Sequence, residues 1–423
     1  MTGRDPVAGA RQAPGWRDAF RLGIINGILF GLGSAFVDPS TVLPLFVRRI
    51  TDSDFAIGML STVAAAGSLL PQLAAANYLE ASPRKLPLYI RTAIIRTLGW
   101  PAIVLLLVVL LPAHPVGALY AFFAVYTIIA LASGLGALSF LDVVAKAVPL
   151  NRLGAFWGWR QFVGGLLAVG AGFFVRAVLS DGSFPGPYLI LFGVTGATYA
   201  LAFGSFSLVA EPPGPSASKR TPLARYLRRA PGLFRTDRVL RDAFISRALI
   251  GCSALAGPFY IIYCKNRLGS PDLLAGSYLA AINTGIILVN LAWARIADRR
   301  GAAPLIRAVA ITAFLGPALA LLIAVLPLSN LAAQNAFFAV FFLIGAAGGG
   351  GFAFNNYLME IAPEEQRPRY FGTMNTFFAF ITLLPALGGL LAEATSYQVL
   401  FGVSAALTLA GAWFCRRLRP REA

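Results

Sequence analysis

The sequence predicts an all-α polytopic membrane protein of about twelve transmembrane helices in two pseudo-symmetric six-helix bundles. Three observations carry that expectation. Of 423 residues, 57% are hydrophobic and 13% charged, and the mean hydropathy is +0.72; a soluble chain of this length could not hide so much apolar surface. About twelve apolar runs are long enough to cross a hydrocarbon layer of roughly 30 Å as helices. Two passages 214 residues apart, Ala147 to Gly158 and Ile361 to Gly372, repeat one pattern: a proline (Pro149, Pro363) stands nine residues before a glycine that follows an aromatic pair. A repeat at half the chain length marks a duplicated bundle.

Taken in order, residues 1–19 form a polar N-terminal tail. The apolar run after it is too long and uninterrupted for a cleaved signal peptide, so it is expected to stay as the first span. Spans are placed near 20–47, 54–78, 88–111, 117–145, 154–179 and 187–209 in a first bundle covering 20–210. They continue near 243–264, 274–296, 304–326, 331–358, 370–392 and 397–415 in a second bundle covering 243–415. Connections mostly under about ten residues predict that successive helices are antiparallel neighbours. The central hydrophilic loop, 211–242, carries Lys219, Arg220, Arg225, Arg228, Arg229, Arg235, Arg238 and Arg241. It opens as a proline-rich linker, then sets Leu223, Tyr226 and Leu227 among basic residues at helical spacing, which suits either a surface helix or a solvated loop. Residues 416–423 form a basic tail.

Basic residues near span ends resist translocation and so fix orientation. With both termini cytoplasmic, about 25 of the 35 Lys and Arg fall on that side and about five (Arg48, Arg49, Arg176, Lys265, Arg267) on the other. The net charge of +17 therefore reads as topology and attraction to membrane lipids, with no nucleic-acid partner. The expected location is a bacterial cytoplasmic (inner) membrane, as a monomer. Three cysteines, Cys252, Cys264 and Cys415, lie in or beside apolar runs; no disulfide framework, metal site or cofactor follows from them. The single histidine, His114, sits in a short outer loop, and no nucleophile triad or paired-carboxylate site can be assembled, so an enzyme is not expected. No phosphate-binding loop of the Gly-x-x-x-x-Gly-Lys-Ser/Thr type occurs, which argues against ATP-driven work.

Asp38, in Val37-Asp38-Pro39-Ser40-Thr41, lies roughly 15 Å from Arg48 and roughly 25 Å from Arg21 at helical rise. A carboxylate at that depth costs about 2.5 to 3.5 kcal/mol and must meet water, a cation or a proton. It is a candidate proton-coupling or substrate residue. Asp followed by Pro is equally an N-cap before a first helical proline, so the second reading, compatible with the first, is that Asp38 caps the outer half of a broken helix. Ser61, Ser68 and Gln72 share a face of the second span, and Asn283 and Asn290 a face of the eighth. Asn355 and Asn356 end a glycine-rich run on the tenth, and Asn375 follows on the eleventh. Together these suggest a lined cavity, although each alone suits a helix–helix hydrogen bond. Of the basic residues within spans, Arg91, Arg160, Arg247 and Arg307 lie near span ends and can snorkel. Arg96 is deepest, and could balance a buried carboxylate or an anionic solute.

After the second and eighth spans the chain resembles the major facilitator superfamily, whose hallmark there is Gly-x-Leu-Ala-Asp-Arg-x-Gly-Arg-Lys. The second copy, Ala294-Arg295-Ile296-Ala297-Asp298-Arg299-Arg300-Gly301-Ala302-Ala303, keeps Asp298, Arg299 and Gly301 in register. The first, Ala76 to Lys85, keeps Glu80, Arg84 and Lys85 but has Pro83 where glycine is expected. A carboxylate near a helix end, followed by basic residues, can cap a neighbouring helix and pair with its charges. Partners for such a cytoplasmic gate are Asp142 and Arg160 in the first half and Glu360, Arg367 and Arg369 in the second. The alternative is solvated charge that sets topology. In the family fold the first and fourth helices of each bundle line the cavity, which implies Tyr126, Thr127, Tyr260 and Tyr263. The resemblance implies a secondary active transporter moving a small solute by alternating access, and Asp38 suggests proton coupling. The competing expectation, favoured by the worn first motif, is a non-transporting receptor, scaffold or lipid-handling partner.

Overall fold

A computed structural model describes residues 15–80, 82–149, 152–180, 182–213, 234, 237–362, 370, 373–374 and 378–418, with side chains other than those of 72–80. Among the described residues every regular element is helical. The first half holds α1 (Trp16–Ala35), α2 (Val42–Arg48), α3 (Asp54–Glu80), α4 (Leu86–Leu110), α5 (Pro115–Ala147), α6 (Leu153–Ser180) and α7 (Gly186–Ser207). The second holds α8 (Arg238–Gly251), α9 (Phe259–Leu268), α10 (Leu274–Arg300), α11 (Ala302–Val325), α12 (Asn330–Gly349), α13 (Ala353–Ile361), α14 (Leu384–Ala394) and α15 (Tyr397–Phe414). Ten segments are long and apolar enough to cross a membrane, with Ala379–Ala394 a shorter apolar helix. The remaining span combines α1, whose first turns carry Arg17, Asp18 and Arg21, with α2.

Among the described residues three expected continuous spans are broken, and the eleventh carries a 3-10 segment, Ala379–Leu383, directly before α14. Between α1 and α2 the chain turns at Asp38 to Thr41. The seventh span breaks at Cys252–Leu255, a short 3-10 segment that leads through Gly257 and Pro258 into α9. Cys252 and Cys264 therefore do not share one helix; all three cysteines are free. The tenth breaks at Gly350–Phe352, where consecutive glycines weaken the helix. Helix starts follow local chemistry. Asp237 accepts from Val239 N and Leu240 N at 2.9 and 3.0 Å to cap α8, and Ser329 and Ser396 cap α12 and α15.

Successive helices pack as neighbours for α4 with α5 and for α11 with α12, while most other partners are not adjacent in sequence. α3 packs on α5, and α1 on α6 and α7; α4 packs on both α5 and α7. In the second half α10 packs on α12, and α11 on α12 and α15. Packing faces, rather than short loops, choose the partners. Phe46 of α2 shows how: it lies fully buried with its ring centroid 5.1 Å from Phe122 of α5, 5.4 Å from Tyr188 and 5.2 Å from Phe192 of α7. The halves meet along two seams, α6 with α10 and α3 with α14. Below, the end of the bundle where α1 begins and α15 finishes is the terminal end, and the other is the outer end.

Candidate functional site

A cavity of about 720 Å³ lies between the halves. Its first-half wall is Pro39 and Ser40 from the turn after α1, with Ser61, Ala64, Ala65 and Ser68 along one face of α3. Its second-half wall runs from Arg247 through Gly251, Ser253, Gly257 and Pro258 to Tyr260, and on to Gly348, Gly350, Gly351 and Phe354. All three helix breaks thus open onto one space. Interrupted helices leave backbone N–H and C=O groups without intrahelical partners, and such groups are tolerated in a membrane where they line a cavity. Arg247 is the charged side chain among the described lining residues, and its guanidinium stacks 4.1 Å from the Phe378 ring and 5.8 Å from Phe354.

A second, smaller cavity of about 170 Å³ lies inside the first half, lined by Phe30, Ser34, Arg96, Trp100, Tyr126, Ser133 and Tyr199 among others. Pro39 and Ala64 line both cavities.

Asp38 sits at the junction without lining either: Pro39 and Ser40 face the large cavity, Val37 and Pro39 the small one. Its Oδ1 accepts from Ser40 N and from Thr41 Oγ1, both at 2.9 Å, which holds the turn before α2. Of the other expected lining residues, Ser61, Ser68 and Tyr260 line the large cavity and Tyr126 the small one. Thr127 and Asn283 line neither; their side chains donate to the Phe123 and Leu279 carbonyls of their own helices. Tyr263 is buried among Phe337, Tyr397 and Phe401. Asn290 lies against Gly349 on α12, while Asn355 and Asn356 line neither cavity. The Gln72 side chain and Asn375 lie outside the described residues.

At the outer end the halves are tied together. Arg49 donates from Nε and Nη2 to Asp272 Oδ2 at 2.9 and 2.6 Å, and Tyr188 Oη donates to the same oxygen at 3.4 Å. Lys265 holds the other Asp272 oxygen. The Asp272 carboxylate keeps the Arg49 guanidinium above its usual pKa. Glu393, at the end of α14, accepts from Ser53 Oγ and Phe55 N at 2.8 and 2.9 Å. Tyr397 Oη donates to Asp54 at 3.0 Å, and Asp54 is also paired with Arg48. Along α6 and α10 the backbones touch here: a Cβ on Gly276 would stand 2.2 Å from the Gly172 carbonyl oxygen. Toward the terminal end Gly154 and Gly158 of α6 face open space. Among the described residues the cross-half hydrogen bonds lie at the outer end and along the outer halves of the two seams.

The described residues expected at the gate lie toward the terminal end. Asp142 pairs with Lys146 at 2.7 Å, while Arg160 donates to Gly23 O and Asn26 Oδ1 at 2.8 and 2.9 Å and stacks 4.6 Å from Phe140. Arg160 and Asp142 are therefore each engaged elsewhere in the first half. Glu360 accepts from Ala302 N at 3.1 Å and so caps α11. Gly301, between α10 and α11, has φ 82° and ψ −177°, a region open to glycine alone. Asp298 and Arg299 are exposed, as is Arg84, whereas Lys85 is buried. The Glu80 side chain, Arg367 and Arg369 lie outside the described residues.

Sequence reasoning missed Glu211, read as the first residue of a linker. Its carboxylate accepts from Lys85 N and Leu86 N at 2.8 Å and from Lys146 at 3.1 Å, with its side chain 1% exposed. It also missed Asp272, Glu393 and the pocket role of Arg247. Lone carboxylates just beyond apolar runs, facing the Arg48-Arg49 pair, were the available signal.

Comparison with known proteins returns the same architecture. No curated protein sequence matches the chain. Among solved structures, it is similar to a D-xylose-proton symporter (13% identity, TM-score 0.71, covering 96% of this chain and 98% of that one). It is similar too to the nucleoside transporter NupG (13%, TM-score 0.64, 95% and 98%) and to a bacterial homologue of the iron transporter ferroportin in an inward-facing state (15%, TM-score 0.66, 95% and 98%). The family model described as Major Facilitator Superfamily matches residues 22–380 and 307–423. With twelve spans, two seams and a cavity where three broken helices meet, the chain belongs to the Major Facilitator Superfamily of membrane transporters.

Proposed function

We propose that this protein is a secondary active transporter that moves a small organic solute by alternating access, rather than an enzyme or a scaffold. One observation carries the reading: a solute-sized cavity between the halves, with the described cross-half hydrogen bonds gathered on its outer side. A scaffold has no need of a wet cavity at membrane depth, and polar backbone there is costly unless used. The lining supplies hydroxyls from Ser40, Ser61, Ser68 and Thr312, a guanidinium from Arg247, and aromatic faces from Tyr260 and Phe354. That chemistry suits an organic solute, the cargo class named for the xylose and nucleoside relatives.

Both termini are proposed to be cytoplasmic, in a bacterial inner membrane. The distribution of Lys and Arg supports this, with about 25 toward the terminal end against about five at the outer end. The domain limits proposed are 20–210 and 243–415, joined by the basic loop 211–242.

Asp38 is proposed to couple proton movement to this cycle. Asn offers the same oxygen to Ser40 N and Thr41, so Asp38→Asn keeps the turn and removes only the charge. In liposomes with the purified protein, a pH gradient should drive uptake of at least one solute from a pool of sugars, nucleosides and organic acids. Asp38→Asn should lose the gradient dependence while exchange at equal pH persists. Wild-type flux indifferent to pH would remove the coupling, and absence of flux across the pool would count against transport.

A further inference from the structure

We infer that the small first-half cavity is a binding site for the carboxylate of an organic anion, seated on Arg96. The inference deepens the transporter reading and rests on it for calling the site a substrate subsite. Arg96 lies ten residues into α4, roughly 15 Å from its start, and is 6% exposed. No ion pair or hydrogen bond to it is found among the described residues, and its Nε is buried without an acceptor. A guanidinium at that depth needs either a counter-charge or a strong substitute. The substitute present is partial: the guanidinium carbon stands 4.0 Å from the Phe203 ring centroid, 5.2 Å from Phe30 and 5.9 Å from Tyr199.

The pocket has no carboxylate among its described lining residues. Trp100 Nε1 is a second buried donor without a partner, and Trp100 lines the same space as Arg96. Ser133 already donates to the Ile129 carbonyl and Ser34 to the Phe30 carbonyl. Asp38, beside the lining residues Val37 and Pro39, has its Oδ1 committed to Ser40 and Thr41. A fixed cation lining the cavity, next to a Trp100 whose buried N–H has no acceptor among the described residues, asks for a planar anion with two acceptor oxygens. The walls of Phe30, Val37, Ile129 and Tyr199 suit an apolar or aromatic tail. Pro39 and Ala64, shared with the large cavity, place the pocket beside the proposed solute path, so a monocarboxylate held by Arg96 would extend toward Ser40 and Ser61.

The test is equilibrium binding of radiolabelled benzoate, with benzamide as its neutral isostere, to the purified full-length protein in detergent. Saturable benzoate binding is expected, with benzamide at least tenfold weaker. Arg96→Gln should weaken benzoate by tenfold or more, and Trp100→Phe by several-fold. Ser133→Leu, which leaves Arg96 in place and fills the pocket, should do the same and carries the test if Arg96→Gln does not fold. Absent benzoate binding, equal binding of benzamide, or Ser133→Leu binding like wild type would overturn the inference. Benzoate bound as predicted with no flux of any solute in vesicles would sink the transporter reading alone. Flux of other solutes by a protein that does not bind benzoate would sink the anion site alone.

Discussion

Glu211 is a single side chain that fixes a whole corner of the terminal end. Its buried carboxylate accepts the first N–H groups at the start of α4 and meets Lys146 of α5, so it joins the end of the sixth span to the third and fourth. Glu360 does a comparable job in the second half by accepting from Ala302 N. The two differ in exposure. Charge-assisted bonds to buried donors are the costly ones to lose, since the donors left behind are desolvated without a partner. Glu211→Ala is expected to cost about 3 kcal/mol of stability, read as a lowered thermal midpoint of the purified protein. Glu211→Gln should recover part of it, because an amide oxygen still caps α4. Glu360→Ala, at an exposed site, should move the midpoint by a much smaller amount. Apolar periodicity gave no hint of this role, because a carboxylate followed by two prolines reads as a linker until the helix start it caps is known.

Among the elements, α6 and α10 are the ones that would decide between the states of the proposed alternating-access cycle. At their outer halves the two backbones are in contact through Gly172 and Gly276, and a Cβ at position 276 would also stand 2.4 Å from Arg176 N. Backbone atoms on both sides leave no side chain to move away, so Gly276→Leu is incompatible with the closed outer end and leaves a parted outer end untouched. The variant is expected to populate mainly an outer-open form and to lose flux. Spin labels at the exposed positions Ser183 and Asn330 would read this as a longer distance than in wild type. Span number and the break at Asp38-Pro39 were legible beforehand, because hydropathy and an Asp-Pro step act through neighbours in sequence. Which faces meet was not: α3 against α14, or α6 against α10, depends on small residues that look alike on every span. For the same reason Tyr126 and Tyr260 were placed at cavities by family likeness, while Thr127 and Asn283 turned back onto their own helices.

For the whole molecule, cross-half contacts at the outer end form two clusters, one at Asp272 and one at Glu393, and both would oppose the rigid-body motion that the proposed cycle requires. Arg49 is 45% exposed and Asp272 only 9%, so solvent screens the pair from one side and its share of the closed state is about 1 kcal/mol. Glu393 holds Phe55 N and Ser53 Oγ at an exposed site, which suggests a similar share. If one two-state motion is at work, each loss multiplies the same equilibrium constant, and 1.4 kcal/mol corresponds to tenfold. Asp272→Asn and Glu393→Gln should therefore each raise the open-to-closed ratio about fivefold, and the double variant about twenty-five-fold, in the Ser183–Asn330 distance distribution. Independent fluctuations of the two loops would instead leave the double variant no more open than the larger single one. Multiplicative opening, with the terminal end closing in the same fraction of molecules, is the signature that separates rocking bundles from locally mobile loops. It requires no knowledge of the solute, because the ratio is a property of the protein's own contacts.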